Sequence, residues 1–405
     1  MPINVIKLLK LKRFFCFNNL LLGLLFFAQL SFGDVLTLTE SQIIRHPQSE
    51  RRDVFGNTIS IDAGRALITL RQAVVRHEKH ENANTDDGYI LQLNDFSHTS
   101  SVPPTKVGNT RFINAGILVG DSVIGANFGH FEEEIKRYDI SNGNLLMDYF
   151  PGDDGKALIR GGTGIAANED FLLVGVPKDS TITSEAGVAY LYSIHTGKPL
   201  FRLFAPDAER GAAFGTCVAI SGDVLAVSAP GNKYRKNGTS IENSGAVYLY
   251  DIKTGRFISK LESPDANRNL RFGMSLAVEG DTLLVGAPGA GRGRASAHLF
   301  DIRTGRHLLG LVILSPAEHR WYGQTVAIGQ KFALVSDGFH GGPVCVFDIA
   351  SGRQRFLLQA SELKDNSQFG RAIALSGDTV LVGLPQDDEM GLAAGSVYIY
   401  DLSDE

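Results

Sequence analysis

The sequence predicts an all-β protein, a seven-bladed β-propeller of four-stranded antiparallel blades closed by an N-terminal strand that pairs into the last blade. Three observations lead there. One phrase recurs seven times, a second half-motif follows most of its copies, and 45 glycines are spread along all 405 residues rather than clustered. An apolar fraction of 43% supplies a large core and excludes a mostly disordered chain.

Residues 1–33 read as a secretory signal. Lys7, Lys10, Lys12 and Arg13 form a basic start, Leu20 to Leu30 an apolar run too short to span a bilayer with ease, and Ser31-Phe32-Gly33 a cut before Asp34. An uncleaved N-terminal anchor is the alternative. No later segment is apolar for long enough to span, so the expectation is a soluble mature chain without membrane insertion, secreted, periplasmic or at the cell surface. The formal net charge is −5; without residues 1–33, which hold four bases and no acid, 35 bases face 44 acids and the balance is −9. That sign argues against a nucleic-acid partner and against docking on an anionic membrane.

The repeats organise residues 34–405 into one domain. FGTCVAISGDVLAVSAP (214–230) recurs as FGMSLAVEGDTLLVGAP (272–288) and FGRAIALSGDTVLVGLP (369–385), with weaker copies elsewhere. The starts are Phe55, Phe112, Gly161, Phe214, Phe272, Tyr322 and Phe369. The second half-motif reads GAVYLYDIKTGRFISKL (245–261) and ASAHLFDIRTGRHLLGL (295–311). Each unit thus carries four short β-rich runs: A (FGxxVAI), B (DxLLVGAP), C (AVYLYD) and D (RFISKL). Glycine gives the tight A–B hairpin its positive φ, and the Asp251 to Gly255 turn joins C to D.

Four strands every ~45–50 residues are the mark of a propeller blade, with a solenoid as the alternative. The last unit stops after GSVYIYD (395–401) without a strand D, while VLTLTE (35–40) precedes the first. Pairing of 35–40 into the last blade accounts for both ends.

FG at the unit starts and VGAP at the end of strand B resemble the FG-GAP repeats of the integrin α-subunit propeller, most nearly in bacterial exported proteins. The resemblance covers residues 34–405 and is sharpest in units 4, 5 and 7. It implies a seven-bladed propeller used for adhesion or ligand binding. Calcium in the family is commonly held by a D-x-D-x-D-G loop between A and B. Here that connection has shrunk to NED, SGD, EGD and SGD, too short for several oxygens to converge. Asp170, Asp223, Asp281 and Asp378 therefore stand alone as turn residues, and no cofactor is expected, calcium being possible but disfavoured.

Strand direction puts A–B and C–D turns on one face and B–C and D–A connections on the other. The second face holds the length variation, in B–C loops 71–87, 128–133, 178–186, 231–244, 289–294, 338–341 and 386–394, and is the expected ligand face. Its candidate residues are His77, His80, Asp86, Asp87, Glu132, Lys233, Arg235, Arg292, Trp321 and Asp387. The 76–88 loop has metal-ligand chemistry or is a solvated insertion. Acidic Glu132 to Glu134 and Asp387 to Glu389 against basic Lys233, Arg235, Lys236, Arg292 and Arg294 make a dipolar surface or scattered solubilising charge. Trp321 is expected to be buried between blades, with stacking on a sugar or partner as the functional reading.

Cys217 and Cys345 fall in non-neighbouring units and are expected as two free, buried thiols. Asn237-Gly238-Thr239 matches a glycosylation sequon. No Ser/His/Asp signature, nucleophile elbow or phosphate loop is present. The function expected is a monomeric, non-catalytic exported module that binds an extracellular protein or glycan. The alternatives are a quinoprotein-like enzyme, whose repeats share the D-x-x-T-G turn, and a structural surface component.

Overall fold

The structure, a computed structural model, describes residues 35–45, 54–62, 64–69, 88–92, 105–106, 115–128, 133–149, 164–289, 295–313, 321–338, 341–361, 368–388 and 394–403. Every regular element among them is a strand. No helix long and apolar enough to cross a membrane occurs among the described residues.

Unit 4 shows how a sheet is built. Strands A (Val218–Ser221), B (Val224–Ala229), C (Ala246–Asp251) and D (Phe257–Leu261) lie side by side in that order, all antiparallel. Val, Leu, Ala and Tyr fill B and C, and every residue of B is buried. Both faces of these central strands are covered, which requires apolar runs rather than alternation. Strand D begins exposed and ends buried.

The short turns follow from their residues. Gly222 takes φ +52° between A and B, and the Asp223 carbonyl accepts the Ile252 amide at 2.9 Å. In the C–D turn Asp251 Oδ1 accepts from the Thr254 amide at 2.8 Å and its hydroxyl at 2.6 Å. The Thr254 hydroxyl holds the Asp251 carboxyl below the usual range. Asp170, Asp223 and Asp281 are turn residues, yet they do not stand alone. Each faces a side chain of the C–D turn: His195 at 3.2 Å, Lys253 at 3.0 Å and Arg303 at 3.1 Å.

The protein is a β-propeller of small antiparallel sheets. Six sheets have four strands, the sheet of Thr325–Ile328, Phe332–Ser336, Val344–Asp348 and Gln354–Leu358 has a fifth, and a two-stranded hairpin stands apart. The expectation of uniform four-stranded blades is corrected there. The reason is the N-terminal segment. Leu36–Leu38 lies parallel to Gln354–Leu358 in unit 6, and so 35–40 does not enter the last sheet. Gln42–Arg45 does, pairing antiparallel with Ser396–Asp401 in the place of strand D.

A second correction concerns FG. Phe214 precedes strand A and forms a parallel bridge to Gly187 of the preceding unit; Phe272 bridges Gly245, and Phe55 bridges Gly395. FG is thus the joint between sheets. Apolar clusters lie between neighbours, as where Phe214, Tyr248 and Leu225 meet Leu173 and Leu191. Another joins Ile44, Phe55 and Ile68 with Leu381, Val397 and Ile399, residues from both ends of the chain. Strands A of successive units touch one another, which places them at the hub and strands D at the outer rim.

Candidate functional site

On the B–C/D–A face the loops interlock through their backbones. Gly211, Ala213 and Phe214 donate to Ser184, Glu185 and Ala186 at 2.9, 3.1 and 2.8 Å. One unit later Asn269, Arg271 and Phe272 donate to Glu242, Asn243 and Ser244, each at 3.0 Å. The residue before FG is left-handed whatever its type, with φ of 50° at Val54, 55° at Ala213, 55° at Arg271 and 58° at Gln368. Strain repeated in this way belongs to the architecture rather than to one site.

The unit 4 loop is an added hairpin, Tyr234–Lys236 paired with Thr239–Ile241. Asn237 and Gly238 turn it with φ of 51° and 79°, the geometry that Asn-Gly prefers between two short strands. That dipeptide was the available signal for the hairpin. Lys233 and Arg235 sit on it, and neither is a free cation. Arg235 Nη2 binds Glu209 Oε2 at 2.6 Å, and Lys233 Nζ binds Glu242 Oε1 at 3.1 Å. The Glu209 hydrogen bond raises the Arg235 value further above its usual range. The basic half of the expected dipolar surface is therefore neutralised where it is described. Asp387 is a loop former: its amide donates to Leu384 and its carbonyl accepts from Gly395, as Asn232 does with Ala229 and Gly245.

Trp321 corrects the expectation of burial: it is 38% exposed. Tyr322 takes the buried aromatic place of FG, its hydroxyl donating to the Pro343 carbonyl at 3.0 Å. Trp321 therefore occupies the same outward position as Arg271 one unit earlier. The two meet, with the Arg271 guanidinium 5.9 Å from the indole ring. Arg271 leads on to a side-chain bridge in which Asn243 Nδ2 donates to Asn269 Oδ1 at 3.0 Å. The arrangement offers an aromatic face, a cation and two amides on one surface, groups suited to a polar partner with apolar faces. His77, His80, Asp86, Asp87, Glu132 and Arg292 lie outside the described residues. No group of three or more metal-ligating side chains occurs among the described residues.

Cys217 and Cys345 are both free. Cys345 is buried, whereas Cys217 is half-buried, with its Sγ 3.2 Å from the Met274 carbonyl.

The FG-GAP repeat family matches residues 201–250, 256–300 and 353–400, so the chain carries FG-GAP repeats. Each match runs from strand D of one sheet through A, B and C of the next, so the sequence repeat straddles the joint made by FG. No curated protein matches the chain.

Proposed function

We propose that this FG-GAP repeat protein is an exported, non-catalytic binding module, residues 1–33 being its signal and 34–405 a single ring of seven units. Its partner is an extracellular protein or glycan, held on the B–C/D–A face. The observation that carries the reading is the contact of Arg271 with the exposed Trp321, at equivalent positions of neighbouring units. A lone exposed tryptophan beside a cation on the loop face is costly to keep in water and contributes strongly when a partner covers it. The ring reading rests on the Phe55–Gly395 bridge, which repeats the joint between units 3 and 4.

The D-x-x-T-G turn shared with quinoprotein repeats supports no enzyme here, since Asp251 and Thr254 spend their polar atoms on each other. A glycan array and a pull-down from the native extracellular fraction test the proposal. Binding lost in Trp321→Ala and Arg271→Ala, with unchanged thermal unfolding, supports it. Binding that both variants retain removes this face from consideration.

A further inference from the structure

The end of the sheets opposite to the loop face carries a repeated feature that the whole-chain charge conceals. Directly after the glycine of successive C–D turns stand Lys198, Arg256, Arg306 and Arg353, all exposed. None of the four has an ion pair among the described residues, whereas their turn neighbours Lys253 and Arg303 are matched by Asp223 and Asp281 at 3.0 and 3.1 Å. The carboxylates of Asp251, Asp301 and Asp348 are turned onto their own turns.

Beside these cations the outer strands open with exposed apolar side chains. Leu200 is 42% exposed, Phe257 and Ile258 44%, and Leu308 36%, with Leu145 and Leu146 on the preceding unit. These are six of the nine exposed large hydrophobic residues among those described, so apolar exposure is concentrated on this rim. The turns also lean on the strand D before them: a Cβ on Gly255 would meet the Phe201 ring at 2.8 Å, and one on Gly305 the Ser259 hydroxyl at 3.1 Å. Cations and apolar groups therefore follow one another along one arc.

We propose that this arc docks the protein on an anionic lipid surface, the Lys and Arg heads meeting lipid phosphates while Leu200, Ile258 and Leu308 enter the headgroup boundary. The balance of −9 over residues 34–405, 35 bases against 44 acids, does not forbid it. The acids that share these turns, Asp251, Asp301 and Asp348, are held by their own turn amides and hydroxyls, and charges beyond a Debye length of roughly 8–10 Å are screened. A soluble polyanion would be satisfied by the cations alone; the interleaved apolar side chains favour a bilayer interface. Docked by this rim, the Trp321 face stays free for its partner, although the docking does not depend on that reading.

Flotation with phosphatidylcholine vesicles, with and without about a quarter phosphatidylglycerol, tests this. The expected result is binding to the anionic vesicles only, weakening as salt rises. Arg256→Gln/Arg306→Gln and, separately, Ile258→Ser/Leu308→Ser should each lower it about tenfold or more, with unchanged melting. Failure to bind anionic vesicles overturns the proposal. So does an unaffected Ile258→Ser/Leu308→Ser variant whose Arg256→Gln/Arg306→Gln counterpart loses vesicles and heparin alike, the behaviour of a polyanion site.

Discussion

The Phe55 amide donates to the Ala394 carbonyl at 3.0 Å, joining the first unit to the last. Phe214 makes the same bond to Ala186, and Phe272 to Ser244. At each joint a glycine follows the acceptor. Gly395 has φ +82°, and a Cβ there would meet the Phe55 carbonyl oxygen at 2.2 Å. Gly395→Ala should therefore destabilise by roughly 2–4 kcal/mol, from left-handed strain plus overpacking. Gly222→Ala, at φ +52° with nothing within 4 Å, should cost only about 1 kcal/mol. Urea unfolding compares them. Equal losses would show that the ends are not held together at this point.

The two N-terminal strands should differ sharply in weight. Ile44 is 7% exposed within the cluster that joins both chain ends, and Ile44→Ala should cost about 2–4 kcal/mol. Leu36, on the outer edge of unit 6, is 41% exposed, and Leu36→Ala should cost less than about 1 kcal/mol. Deleting 35–40 then leaves Gln42–Arg45 in the last sheet. If that deletion unfolds the protein as easily as removal of 35–45, the division of labour is wrong.

Local chemistry was readable in the sequence, and pairing across the chain was not. Gly222 and the Asp251 to Gly255 turn follow from the dihedrals and hydrogen bonds their residues favour. VLTLTE and the following QIIR are both strand-like, and nothing within either says which edge it joins. The partner of Arg235 is likewise invisible locally, because Glu209 comes from the connection before the sheet. Trp321 was not legible either: the position before FG holds Arg271 and Gln368 but also Val54 and Ala213, so its residue types do not mark it as outward.

His298 should make the protein sensitive to mild acid. It is 1% exposed, with Nδ1 3.2 Å from His307 Nε2 and Nε2 3.2 Å from the Ser263 hydroxyl. Burial first, then the neighbouring His307, lowers it from 6.5 to about 4. The folded value lies below the unfolded one, so the unfolded chain takes the proton first. Its contribution is fully present above about pH 6.5 and is lost as pH falls toward about 4, roughly 3 kcal/mol in all. His298→Phe, a ring of the kind that Tyr248 supplies in unit 4, should remove this part. Urea unfolding at either end of that window, with an identical pH dependence in the variant, would contradict the assignment.

The cysteines should be inert in the folded protein and reactive once it opens. Burial pushes the Cys217 thiol up to about 12, even though the residue as a whole is half-buried, and pushes Cys345 up as well. The thiolate is the nucleophile, so at neutral pH its population at Cys217 is negligible. Cys345 pairs with Val335 inside its sheet, and unit 5 lies between the two cysteines, which leaves no route to a disulfide without unfolding. Titration with a chromogenic disulfide should therefore show no fast thiol in native buffer, and two in denaturant from residues 34–405. Because opening must precede reaction, the slow native rate should rise in Gly395→Ala by about the factor its stability loss implies. A fast native thiol, or a rate that ignores the joint between first and last units, would place these side chains at a surface that the sheets do not cover.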